Sequence, residues 1–227
     1  MRLSLSGIHS LMAGYADTVG FLALTGLFTS HVTGNFVTLS SALVFGSNGA
    51  LAKLLALPTF CVTVLLVKFI SLRLKKIGWP ILRSLLQLEL ALLIVTAVIA
   101  VWAGPFDNPD TGATVSLGMV LVAAMAVQNA AHRLFLTHTP PSTVMTVTTT
   151  QIMLDLGDMI FGLNTKNADV IRTRVKAMTT SVVLFAAGCA LGALLFAGIS
   201  KWCFCVLPVL AVFTLRIRSE VIDPPGS

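Results

Sequence analysis

Asp17 is the first residue of the chain whose type and position could support chemistry. It is the one acidic residue of an apolar stretch at 8–28, and Gly14 and Gly20 share its helix face, which lets another helix or a solute approach closely. A carboxylate in a membrane span costs about 2.5–3.5 kcal/mol on insertion scales, so it should face the bundle interior or water. We expect Asp17 to contact a cation, a proton or a substrate. The alternative is a structural carboxylate that caps a helix break or pairs with Arg133.

A second polar group, Thr33, Gly34 and Asn35, follows Asp17 along the chain. Thr33 and Asn35 are residue types that begin helices, and Gly34 permits a backbone φ that other residues rarely adopt. The sequence therefore predicts a half-helix over 33–46 that aims free backbone N–H groups, with its positive dipole end, into the protein. The alternative is a tight turn at the membrane surface that starts the next helix.

Gln128 and Asn129 form a third polar group, in the C-terminal half of the chain. They lie deep in an apolar stretch, where bare amides lack partners. His132 and Arg133 follow, and we interpret them as interfacial anchors at the cytoplasmic end of the same helix.

A Thr-rich segment at 143–162 carries Thr146 and Thr148 and follows two prolines, which end the preceding helix and suit the start of a new one. We predict that this segment is a second half-helix. Threonines also bond their own helix backbone, so a Thr-rich segment alone is weak evidence for a binding site. The position of this segment opposite the first half-helix is what indicates a functional role.

The remaining polar and small residues of the apolar stretches read as structural. Glu89 and Lys68 are expected to snorkel to an interface. Gly188 and Gly192 form a small-residue motif that predicts helix packing or dimerisation. The four cysteines lie in apolar stretches without a neighbouring histidine, and the nucleotide-binding, zinc-protease and hydrolase motifs are absent. We therefore predict no metal, no cofactor and no enzymatic activity.

The composition indicates which elements carry these residues. Of 227 residues, 56% are hydrophobic and 11% are charged, whereas a soluble domain carries about 25% charged residues. Apolar runs of near-bilayer length predict membrane-spanning helices. These six runs are 8–28, 54–72, 81–103, 112–132, 178–198 and 202–217. The net charge of +6 does not indicate nucleic-acid binding, because the basic residues collect in the loops.

The positions of the charges predict the topology. With both termini cytoplasmic and both short segments entering and leaving on one side, thirteen of the fifteen Lys and Arg residues lie at or near the cytoplasmic face. Only Lys53 and Lys201 are outside, beside Asp107 and Asp110. If both short segments crossed fully, the loop at 163–177 would be exported with its arginines, which the positive-inside rule disfavours.

The short segments occupy matching places in two halves. We predict an all-α membrane protein of one integral domain, with an N-terminal half at 1–110 and a C-terminal half at 111–227. Each half has three spans and one half-helix. Because three is an odd number of spans, the second half runs in the opposite sense and forms an inverted repeat.

The sequence also resembles the YoaK family. The resemblance rests on Gly14-Tyr15-Ala16-Asp17, on His31-Val32-Thr33-Gly34-Asn35, and on Gln128-Asn129-Ala130 with Thr143-Val144-Met145-Thr146. In the family pattern Thr-Gly-Asn follows Val-Met, whereas here Val147 and Thr148 stand in place of Gly and Asn. The resemblance implies six spans and a bacterial inner (cytoplasmic) membrane, and it implies no substrate.

These patterns lead to three hypotheses. The first is a small secondary transporter or channel for a small polar or ionic solute, with a site near the bilayer midplane formed by the residues above. At 24.0 kDa the chain could act as a homodimer. The second is a membrane scaffold whose polar core serves only stability. The third is an enzyme that uses His31 with Asp17 or Thr33, which requires these groups within about 2.6–3.2 Å of one another in a cavity.

Overall fold

The structure is a computed structural model that describes residues 4–106, 108–137, 139–143, 145–162 and 168–222, with side chains to Arg216. The expectations for Arg2, Asp107, Lys166 and Arg218 fall outside the described residues or side chains. Within these ranges every regular element is helical, as the all-α prediction requires.

Eight α-helices and one short 3₁₀ helix make up the described fold. They are α1 (Leu5–Ala23), α2 (Gly34–Phe45), α3 (Ala50–Lys76), α4 (Ile81–Ala103), α5 (Gly112–Phe135), α6 (Met145–Ile160), α7 (Ala168–Ile199), a 3₁₀ helix (Ser200–Cys205) and α8 (Val206–Ile222). The predicted half-helices at 33–46 and 143–162 correspond to α2 and α6.

Four stretches of the described chain are long and apolar enough to cross a membrane. They are Ala50–Lys76, Ile81–Ala103, Gly112–Phe135 and Ala168–Arg216, with mean hydropathies between 1.6 and 2.4. The last has 49 residues, more than twice the length of one crossing, and contains α7, the 3₁₀ helix and α8 as far as Arg216. The chain is therefore an all-helical membrane protein.

Helix α1 is not among these stretches although it has 19 residues. Its polar side chains, which include His9, Ser10 and Asp17, are buried by neighbouring helices. Packing against α7 is so close that a Cβ added to Gly14 would lie 2.2 Å from the carbonyl oxygen of Phe185. A Cβ added to Gly188 would lie 2.0 Å from the carbonyl oxygen of Leu11. Small residues therefore bring α1 and α7 into backbone contact, and the packing role predicted for Gly188 is filled within the chain.

The bundle is formed by contacts between the long helices. Helix α1 packs on α7, α5 packs on α3 and α4, and α4 packs on α8. The two short helices lie at the periphery, with α2 on α3 and α6 on α7.

The chain between α1 and α3 doubles back on itself. After Leu24 it returns along α1 until Thr29 and Ser30 lie beside Asp17, and α2 then runs for 12 residues, about 18 Å. At its far end Gly49 (φ +87°) packs against Thr25, because a Cβ there would lie 2.4 Å from the Thr25 hydroxyl oxygen. This segment therefore leaves and rejoins the bundle at the same end of α1.

Candidate functional site

Asp17 holds the start of the short-helix segment of the first half. Its carboxylate accepts hydrogen bonds from the backbone N–H groups of Thr29 (2.8 Å) and Ser30 (2.6 Å) and from both of their hydroxyls. The Nδ1 atom of His31 lies 2.5 Å from Asp17 Oδ2. These five contacts, at a residue only 4% exposed, match a carboxylate that caps a helix break. None of its hydrogen bonds or ion pairs involves Arg133.

Asn35 fixes the same segment from the other side. Its Nδ2 donates to the Phe28 carbonyl oxygen (2.7 Å), and its Oδ1 accepts from the Phe28 N–H (2.9 Å). Gly34 does not use the positive φ that glycine permits. It serves close approach instead, because a Cβ there would lie 2.9 Å from the Phe28 ring.

The start of α2 does not offer free backbone donors. The N–H groups of Gly34, Asn35 and Phe36 donate to the carbonyls of the preceding turn, three residues back, at 2.8–3.2 Å. Thr33 stands at the N-cap position, but its side chain makes no capping hydrogen bond. The expectation of free N–H groups aimed into the protein was therefore wrong, because a turn of helical character precedes α2.

Asn129 on α5 contacts the chain before α6, as Asp17 on α1 contacts the chain before α2. Its Oδ1 accepts from the hydroxyl of Thr143 (2.7 Å), just before α6, and its Nδ2 donates to the Met125 carbonyl oxygen (3.0 Å). The two segments also meet each other, since the His31 ring interacts with the backbone of Thr143. A polar side chain of a long helix thus holds the start of each short helix.

A cavity of about 660 Å³ lies where these two segments meet. Its wall is formed by residues 30–33, by residues 129–130 and 132–134 of α5, by residues 141–143 and 145–146, and by α3 between Phe60 and Lys68. Of the predicted site residues, Thr33, Asn129 and Thr146 line the cavity. A second cavity, of about 710 Å³, lies between residues 137 and 139–141 and the first turns of α7, and none of the predicted site residues lines it.

The other predicted site residues do not line the cavity. Asp17, Gly34 and Asn35 lie behind it and position the segment that forms its wall. Thr148 is buried on α6. Gln128 is fully buried and donates from Nε2 to the His9 carbonyl oxygen (3.1 Å).

His9, Glu89 and Gln128 form a separate polar cluster in the core. All three are 0% exposed, and His9 Nε2 lies 3.8 Å from Glu89 Oε2. Neither ring nitrogen of His9, neither carboxylate oxygen of Glu89 nor Gln128 Oε1 has a hydrogen-bond partner. Unpaired buried polar groups of this kind are rare in proteins and call for an explanation.

This cluster was not predicted from the sequence. Glu89 does not snorkel as expected, because it is the ninth residue of α4, about 12 Å from the start of that helix, and faces the interior. The rule applied to Asp17, that acids within a span are functional, would have identified it. His9 precedes Asp17 by two helical turns on the same face of α1, a spacing that the sequence does show.

An ion pair attaches α6 to α7. Arg174 Nε and Nη2 donate to the two oxygens of Asp155 at 2.7 and 2.5 Å, and Gln151 Nε2 donates to the same carboxylate at 2.8 Å. The hydrogen bonds from Arg174 hold the pKa of the Asp155 carboxyl below its usual range. This pair fixes the end of α6 remote from the cavity.

No arrangement of three or more His, Cys, Asp or Glu side chains suited to a metal ion occurs in the part of the chain that the structure describes. The four cysteines are free.

A family model described as a protein of unknown function, DUF1275, matches residues 5–217. The chain therefore belongs to this family, and the resemblance to YoaK, itself a DUF1275-containing membrane family, is confirmed. No curated protein and no solved structure matches the chain.

Proposed function

We propose that this DUF1275 protein is a small secondary transporter or channel for a small polar or ionic solute. The observation that carries the proposal is the cavity of about 660 Å³ at which the starts of both short helices meet. Short, interrupted segments at corresponding positions of two inverted halves are the best pointer to the binding site of a secondary transporter. The cavity volume also lies within the range of about 300–1,000 Å³ that is usual for ligand sites.

The proposal includes six spans arranged as an inverted repeat, in which α1, α3 and α4 correspond to α5, α7 and α8. Helix packing supports this correspondence, because α1 packs on α7 just as α5 packs on α3. The links from Asp17 to Thr29 and Ser30, and from Asn129 to Thr143, also recur twelve to fourteen residues along the chain.

We place both termini in the cytoplasm of a bacterium, with the chain in the inner membrane. Of the two basic residues left at the opposite face, Lys201 donates from Nζ to the carbonyl oxygens of Val101 (3.0 Å) and Gly104 (2.8 Å) and so caps the end of α4. Lys53 is buried. Since neither is a free loop charge, both are compatible with the positive-inside rule.

The cavity-lining residues supply the solute contacts in this proposal. Thr33, Asn129 and Thr146 provide hydroxyl and amide groups that can donate to or accept from a polar solute. Asp17 and Asn35 act as positioning residues, because they hold the chain that forms one wall.

A non-catalytic scaffold is the second candidate, and the contacts of Asp17 favour it. All of them are internal to the protein, as expected for a residue that serves stability alone. The two candidates differ in the cavity: a scaffold needs no ligand there.

An enzyme is the weaker candidate although His31 lines the cavity and lies within hydrogen-bond reach of Asp17. The nearby Ser30 hydroxyl lies 3.4 Å from the same Nδ1 atom of His31 and donates to Asp17 Oδ2 at 2.7 Å. Its proton is thus committed to the carboxylate, and His31 Nδ1 is shared with Asp17, so this group is not arranged as an activated nucleophile.

A thermal-shift screen of the purified protein against ions, amino acids, organic acids and sugars tests the proposal. A solute at a hundredfold excess over its Kd should stabilise the protein by about 2.7 kcal/mol. Thr146→Val, which changes the cavity wall, should lose this shift, whereas Thr150→Val, on an exposed face of the same helix, should keep it. If no solute stabilises the wild type, the scaffold is the better account.

A further inference from the structure

We infer that the cavity is selective for organic anions, an inference that rests on the proposed function and names its class of solute. The charge of the wall is one-sided. His31, Lys68, His132 and Arg133 line the cavity, and no aspartate or glutamate of the described residues does.

The positive charges of Lys68 and Arg133 are not neutralised from within the described protein. The acid–base pairs within 4.0 Å there are His9–Glu89, His31–Asp17 and Arg174–Asp155, and none includes Lys68 or Arg133. Asp17, the acid paired with a wall residue, already accepts five contacts from residues 29–31. Lys68 and Arg133 therefore remain available to an anion.

Lys68 reaches the cavity from within α3 and not from its last turn, where Arg73, Lys75 and Lys76 lie. It precedes the last residue of α3 by eight positions, about 12 Å. Arg133, near the end of α5, faces the same cavity from the neighbouring helix. Two cations from adjacent helices around one cavity are suited to a carboxylate or phosphate group.

Two buried polar atoms on the wall lack a partner. Ser142 Oγ, at a residue 1% exposed, and His132 Nδ1, at a residue 5% exposed, make no hydrogen bond. Both atoms belong to residues that line the cavity, and a buried polar atom left unpaired costs about 1–3 kcal/mol. The oxygens of an anion can accept from the Ser142 hydroxyl and from a neutral His132 ring that carries its proton on Nδ1.

The rest of the wall is apolar. Val32, Phe60 and Leu65 line the cavity beside the cations, and its volume far exceeds that of an inorganic ion. The matching ligand has an anionic head and an apolar body. A small carboxylate in water and the headgroup region of an anionic lipid share this chemistry.

Binding of three probes with one body and different charges tests the inference. Benzoate, benzyl alcohol and benzylammonium would be titrated against the full chain in nanodiscs of zwitterionic lipid, with the melting temperature as the readout. Benzoate should bind at least about tenfold more tightly than the other two, because a charge-assisted hydrogen bond contributes about 1.5–3 kcal/mol.

Variants locate the bound probe. Lys68→Gln and Arg133→Gln should each weaken benzoate binding by about tenfold. Arg83→Gln removes a basic residue from α4 that does not line the cavity, and it should leave benzoate binding unchanged.

A second arm separates the two sources of anion. If the anion is a lipid headgroup, phosphatidylglycerol in the nanodiscs should compete with benzoate for the cavity. It should also raise the melting temperature of the wild type, and Arg133→Gln should reduce this rise. Without such an effect, benzoate binding identifies a soluble anion. Either result supports anion selectivity.

Binding of benzylammonium or benzyl alcohol as tight as that of benzoate, and dependent on Thr146, would overturn anion selectivity and leave the solute cavity standing. Absence of binding in both arms would also overturn the inference, whereas the proposed function depends on the wider solute screen.

Discussion

Two carboxylates lie inside the helix bundle, and their surroundings are opposite. Asp17 is 4% exposed and accepts from two backbone N–H groups and two hydroxyls, with the His31 ring beside it. Glu89 is 0% exposed and its carboxylate accepts no hydrogen bond; the His9 ring nitrogen Nε2 lies 3.8 Å from Glu89 Oε2. Burial alone therefore does not reveal the role of an acid in a membrane protein. A satisfied carboxylate holds structure together, whereas an unsatisfied one lowers stability and points to a role other than folding.

The two short-helix segments differ in the same way. The chain before α2 is held by five contacts to Asp17 and by two hydrogen bonds between Asn35 and Phe28. Among the described residues, the chain before α6 is held by fewer contacts: the hydrogen bond from Thr143 to Asn129, that from the Ser6 hydroxyl to the Pro140 carbonyl oxygen (3.0 Å), and the interaction of His31 with the Thr143 backbone. The neighbouring Ser142 Oγ has no partner. The first segment should be the firmer wall of the cavity.

The largest loss of stability is expected for Asp17→Ala. It leaves two buried N–H groups and the His31 ring without their acceptor, and breaking a buried charge pair costs about 3–5 kcal/mol. Unfolding in mixed detergent micelles measures the loss. Asp169→Ala, at an exposed carboxylate of α7, is the control and should have little effect. Equal losses from both variants would show that the contacts of Asp17 do not hold the fold.

Asn35→Ala should have the next largest effect. It removes both hydrogen bonds to the Phe28 backbone, and each buried group left unpaired costs about 1–3 kcal/mol. The same unfolding assay, with the exposed Asn48→Ala as the matched control, measures it. A wild-type melting temperature for Asn35→Ala would contradict the two-sided anchoring of this segment.

Thr143→Val should destabilise the protein by only about 1 kcal/mol, because one hydrogen bond between neutral groups is lost from the second segment. Thr149→Val, on an exposed face of α6, controls for the general effect of removing a hydroxyl. A loss as large as that of Asp17→Ala would mean that the two segments are held equally firmly.

The smallest effect is expected for Glu89→Gln. The change keeps the shape of the side chain, and no hydrogen bond to the carboxylate exists to be lost, so stability should change by less than about 1 kcal/mol. Melting curves recorded beside those of Asp17→Asn measure the difference. If Glu89→Gln unfolds as early as Asp17→Asn, the two carboxylates have the same structural role.

Most of the fold was predictable from hydropathy and chain breaks. The half-helix predicted over 33–46 is α2 at Gly34–Phe45, and the long apolar runs became helices because a membrane allows the backbone few other structures. The polar residues of α1 were harder to interpret. They are compatible with a helix in the centre of the bundle only because α7 packs against α1.

The candidate site was predictable in part. Asn129 and Thr146 stood out as polar residues at matching positions, and both line the cavity. The partners of Asp17 were not predictable, because they depend on the reversal of the chain after Leu24. Gln128 is buried as its depth indicated, but the His9 carbonyl that it contacts is 119 residues away, a separation without a local sequence signal.

Osmotic re-swelling of proteoliposomes tests the central claim, solute passage through the cavity, most directly. Vesicles with the wild type or a variant would be mixed with hyperosmotic solutions of salts, amino acids, organic acids or sugars, and light scattering would follow their recovery. For at least one solute the wild type should re-swell faster than protein-free vesicles. Asn129→Leu with Thr146→Val should abolish the difference, while Ser84→Ala, at an exposed hydroxyl of α4, should keep it. Recovery no faster than that of protein-free vesicles for every solute would contradict the claim.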